Sequence, residues 1–77
     1  MPTQLYVVEL LRQRTLEPYA RRQFVGAWAA MTLARSKAAQ MDRVNARRIA
    51  AYSHIAPARI IPLDADGSLL DDQAEEV

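Results

Sequence analysis

A chain of 77 residues without a cysteine, and with His54 as its one histidine, has to be held together by apolar packing. Disulfides and thiolate zinc sites are excluded, and a multi-histidine metal site cannot be assembled within one copy. A domain this small buries only about 60% of the surface its unfolded chain exposes, so its core is thin and its stability marginal. The remaining support is a second subunit or another partner. The expectation is one small domain that uses no metal and no cofactor.

The net charge of +1 hides a split. Residues 1–63 carry all ten basic side chains against Glu9, Glu17 and Asp42, a balance of +7. Residues 64–77 carry six acidic side chains and no basic one, a balance of −6. This divides the chain into a compact basic domain over 1–63 and an acidic C-terminal tail over 64–77, expected to be flexible. Nine of the ten cations are arginine, which grips phosphate and carboxylate with two bonds at once, although arginine-rich composition by itself names no partner. The apolar stretch from Leu5 to Leu11 is interrupted by Glu9 and is too short for a membrane span or a signal peptide, so a cytoplasmic protein with no membrane partner is expected.

Residues 4–12 are rich in β-branched and aromatic side chains and read as a strand, with a short helix as the competing reading. Pro18 suits the first position of a helix, and Ala20, Phe24, Ala27, Met31, Ala34, Ala38 and Met41 follow at steps of three and four. That spacing predicts a long central helix over about 18–41, with Gly26 as its one costly interior residue. Val44, Ile49, Ala51, Tyr52 and Ile55 suggest a shorter helix over about 43–54, though a strand fits the same stretch. Pro57 and Pro62 make 58–63 extended, and Asp64-Ala65-Asp66-Gly67 is a turn. The fold expected is a helix-dominated α+β domain, with an all-α bundle as the alternative.

On that predicted central helix, Val25, Ala29 and Leu33 fall roughly 140–220° from Ala20, opposite the main stripe. Trp28 lies on the shoulder, and Tyr19 is near the start. An apolar row on the far side of a helix is either covered by the rest of the chain or meets a partner. Tyr19, Val25, Trp28, Ala29 and Leu33 are therefore the candidate protein interface, since Trp and Tyr beside arginine dominate such surfaces.

Catalytic patterns are not visible. His54 is the one imidazole, with no nucleophile elbow around it, and two glycines are too few for a phosphate-binding loop. Aligning Gly67 with the glycine of a calcium-binding loop puts Pro62 and Gln73 at ligand positions, which excludes that site. Nucleic-acid binding is the alternative function. Its candidate residues are Arg43, Arg47 and Arg48, of which Arg43 and Arg47 are neighbours on a helix face. The function expected first is a small non-enzymatic regulatory or inhibitory protein that docks on another protein or on a second copy of itself. Chains of this size and composition are common among phage and mobile-element proteins that modulate host machinery.

Overall fold

In the computed structural model residues 4–11, 22–32 and 35–77 are described. Among them the chain forms strands β1 (Tyr6–Leu10), β2 (Gln23–Val25) and β3 (Met31–Thr32), then helix α1 (Arg43–Ala50), then β4 (Ala58–Pro62) and β5 (Glu75–Glu76). The five strands make one antiparallel sheet in the order β3-β2-β1-β4-β5. Single 3₁₀ turns occupy Ala27–Ala29, Arg35–Lys37 and Asp71–Gln73.

The sheet is buried on both faces. Side chains alternate along a strand, so Val8 and Leu10 of β1 point to one side, where they join Val25, Ala46, Ala50 and Ile60 in a core roofed by α1. Val7 points to the other side and joins Phe24, Ile61, Ala38 and Leu63, with Leu69 and Ala74 packed against them. The residues between 63 and 74 thus provide part of the second cover. Register is continuous along the central pair, from Tyr6 opposite Pro62 to Leu10 opposite Ala58.

The expectation of a helix-dominated domain is overturned, and with it the all-α alternative. The structure is mostly sheet, with one α-helix among the described residues. In place of a helix over 18–41 the described part of that segment is a short hairpin, β2 to β3, followed by a 3₁₀ turn. The reason lies in two-sided burial. Phe24 and Val25 are neighbours in sequence and both are buried, one on each face of the sheet. A strand covered on both sides has no polar alternation, and alanines on either flank then complete a helical spacing by coincidence. Gly26, which is costly inside a helix, is well placed here. A side chain at this position would come within 3.2 Å of the Lys37 carbonyl oxygen and of the Thr32 side chain. The Gly26 N–H donates to the Ala30 carbonyl at 2.6 Å and closes the hairpin.

Helix α1 occupies the first part of the stretch expected as a shorter helix. Asp42 precedes it in an extended conformation, and its carboxylate accepts the Asn45 N–H at 2.8 Å. Ala46 and Ala50, four residues apart, lie flat against the sheet, which lets the helix backbone approach closely. Asp42→Ala removes the cap and is expected to cost about 1 kcal/mol in urea unfolding. A loss below a few tenths would mean that water or a neighbour replaces the bond.

The turn after β4 is closed by Gly67, whose φ of +86° suits glycine, with its N–H donating to the Asp64 carbonyl at 2.9 Å. From there the chain runs back along the sheet, and Glu75 and Glu76 pair with Ile60 and Arg59. No helix among the described residues is long and apolar enough to cross a membrane.

Candidate functional site

Three places carry charged or aromatic chemistry: the tip of the β2–β3 hairpin, a cluster around Glu9, and the outer face of α1.

The hairpin tip is a 3₁₀ turn over Ala27-Trp28-Ala29, and Trp28 at its centre has φ 61° and ψ 27°. This left-handed conformation costs an ordinary residue roughly 1–2 kcal/mol. The indole is 99% exposed, so it recovers none of that by packing within the described fold. Met31, opposite Val25 across the hairpin, is also exposed. Of the residues expected to share one interface, Val25 is set apart from Trp28 and Ala29. Val25 is 0% exposed and belongs to the core beneath α1. Ala29 stands next to Trp28 in the turn, while Tyr19 and Leu33 lie outside the described residues.

On the face of the sheet away from α1, Glu9 is 0% exposed. Its two carboxylate oxygens accept separate bonds, from Arg22 Nε and from Arg59 Nε, each at 2.6 Å. Arg22 also donates to both oxygens of Asp71, at 2.7 and 3.3 Å, and its guanidinium lies 5.5 Å from the centre of the Phe24 ring. Arg59 Nη2 is 3.5 Å from Asp71. Among the described residues, two carboxylates and two guanidinia thus meet in one cluster. Burial pushes the Glu9 carboxyl up, but the hydrogen bonds and charges of Arg22 and Arg59 together hold it below its ordinary value. The bond from Arg22 likewise lowers Asp71. A carboxylate this well satisfied and this far from water is poorly placed for proton transfer. The cluster ties β1, β2, β4 and the C-terminal segment together, and sequence reasoning missed it. The available signal was an acid set between Val8 and Leu10 in a strand apolar on both sides.

On the outer face of α1 the three candidate arginines are exposed. Arg43 grips Glu75 of β5 with Nε at 3.0 Å and Nη2 at 2.6 Å, and Arg47 Nη1 reaches the same carboxylate at 3.5 Å. The bond from Arg43 lowers the Glu75 pKa, and the same bond raises that of Arg43. Arg48 has no side-chain partner among the described residues. The structure therefore brings Arg43 and Arg47 onto one anion and leaves Arg48 beside them. Glu75 was grouped with the tail in the sequence because its partner lies in another element.

His54 is exposed, its ring stacked on Tyr52 with centroids 5.6 Å apart. A half-open depression of about 370 Å³ is lined by Gln4, Leu5, Gln40, Leu63, Asp64 and Gly67, and no set of functional groups converges in it. No group of three or more metal-ligating side chains occurs among the described residues. Compared with protein-family models, with curated proteins and with solved structures, the chain matches none of them, so what it does is read from its own chemistry.

Proposed function

We propose that this protein acts in the cytoplasm as a small non-enzymatic regulator that docks on another protein through the tip of its β2–β3 hairpin. The observation that carries the reading is Trp28. A side chain with a large apolar area is held fully in water, on a backbone conformation that disfavours it. Within the described fold that residue adds strain and no packing. The cost is recovered when the indole enters a pocket on a partner, where tryptophan is the residue type that most often dominates binding. The lack of cysteine fits a reducing compartment.

Two substitutions separate display from structure. Trp28→Gly relieves the left-handed backbone and is expected to raise stability by about 1 kcal/mol while abolishing partner binding. Trp28→Phe keeps an apolar ring and is expected to retain part of the binding. Affinity capture from the native host's extract, with wild type and both variants on the support, reads the outcome. One protein held in stoichiometric amount by wild type, weakly by Trp28→Phe and not by Trp28→Gly supports the reading. Equal capture by all three overturns it. Because Trp28 is the only tryptophan, its fluorescence reports directly, and partner binding is expected to shield it from a water-soluble quencher.

A further inference from the structure

We infer that the outer face of α1 is a site for the phosphate backbone of nucleic acid, and that Glu75 of β5 occupies this site in cis as a stand-in for a phosphate. The inference is independent of Trp28, which lies at the far end of the sheet order, on the β2–β3 hairpin.

The geometry supplies the first argument. Arg43 holds the Glu75 carboxylate with two nitrogens of one guanidinium, at 3.0 and 2.6 Å. This fork fits two oxygens of a phosphate as well as two of a carboxylate. Arg47 approaches the same anion from the next turn, at 3.5 Å. Two arginines converging on one anion, with Arg48 uncommitted beside them, make a surface of three cations with one anion bound.

Weakness of the existing contact supplies the second. Arg43 and Arg47 keep 53% and 44% of their side-chain surface exposed, so this is a solvent-screened pair and contributes little to holding the fold. Strand β5 is two residues long and lies at the sheet edge. Displacement asks only that the Glu75 side chain swing away, with β5 still paired to β4. Nucleic acid offers many phosphates in a row and gains from counterion release at each contact, whereas Glu75 offers one carboxylate. The pairing of Glu75 with Ile60, whose side chain faces α1, explains why this carboxylate reaches the arginines. Glu76, paired with Arg59, alternates to the other side of the sheet.

The test measures anisotropy of a short fluorescein-labelled DNA duplex against the full chain across a salt series. Wild type is expected to bind weakly, with affinity falling as salt rises. Glu75→Gln is expected to tighten binding by about fivefold at most, the ceiling that one exposed ion pair sets. It also steepens the slope of log affinity against log salt by about one to two, as two arginines become available for phosphates. Asp72→Asn makes the same change in net charge at an exposed position away from α1, and is expected to change neither quantity. Arg48→Glu breaks no side-chain hydrogen bond or ion pair among the described residues, so it is expected to keep the unfolding midpoint and lose most of the binding. Trp28→Gly is expected to leave DNA affinity as it is, so failure here leaves the hairpin reading standing. Equal tightening by Glu75→Gln and Asp72→Asn would reduce the effect to bulk charge and overturn the proposal. So would equal binding of wild type and Arg48→Glu, no binding by Glu75→Gln at low salt, or tighter binding to polyglutamate than to DNA.

Discussion

Replacing Glu9 by glutamine is expected to cost the domain about 2–4 kcal/mol, a large share of what 77 residues can muster. The carboxylate is fully buried and carries one bond to each of two arginines. Glutamine has nearly the same shape but removes the charge and one acceptor. Arg22 and Arg59 would then share Asp71 as their carboxylate among the described residues. Breaking a buried pair commonly costs about 3–5 kcal/mol, and the lower range applies because the two arginine side chains keep 35% and 23% exposure and regain some water. Urea unfolding at neutral pH measures it, and a loss under about 1 kcal/mol would show that the cluster is not a structural anchor.

The paired carboxylates, those of this cluster and Glu75 beside α1, set the response to acid. Glu9, Asp71 and Glu75 all have carboxyls held below their ordinary values of 4.5, 3.8 and 4.5. A depressed folded-state value means that the unfolded chain takes up protons first as pH falls. The stabilisation is fully present above about pH 4.5, the unfolded value for glutamate, and is lost as pH drops through the folded values. Wild type is therefore expected to lose stability steeply below that point. Glu9→Gln is expected to be less stable at neutral pH and to show a shallower acid limb. Parallel acid limbs for the two proteins would remove Glu9 from the account.

Val25→Asp is expected to unfold the protein, with a loss of about 4 kcal/mol or more. Val25 is 0% exposed, between β1 and the β3 edge and beneath α1, so an aspartate there has neither water nor a partner. On a helix over 18–41 the same residue would lie on the far apolar row, and the aspartate would be tolerated where that row meets a partner. The variant thus tests the burial of β2 directly. Far-UV circular dichroism and a urea midpoint read the result, with Trp28→Asp as a folded control. A folded Val25→Asp would contradict the burial of β2.

Much of the local structure was legible. The β-branched run around Tyr6–Leu10, the prolines at the two ends of β4 and the Gly67 turn all depend on residues close together in sequence. Gly26 was also legible as a misfit in a helix, and in the structure it marks the hairpin where backbone comes within contact distance. The segment 22–32 was misread because alanine suits either secondary structure, and burial on two faces erases the alternation that identifies a strand. Of the candidate site, Trp28 and the three arginines of α1 were singled out by residue type. The reasons for grouping them changed, because Trp28 was placed on a helix shoulder and stands on a hairpin tip.

What the sequence by itself determined is the inventory: a small chain without disulfides, a basic majority, an acidic C-terminal stretch and one tryptophan. These follow from composition and from contacts within a few residues. Only the tertiary structure decided which charges meet. Arg22 and Arg59 converge on Glu9 across 13 and 50 positions of chain, and Arg43 reaches Glu75 across 32. Strand pairing brings such residues together, and pairing depends on which segments bury each other's apolar faces. A carboxylate and a guanidinium carry no mark of their partner, so the ion pairs become visible once the sheet order is known.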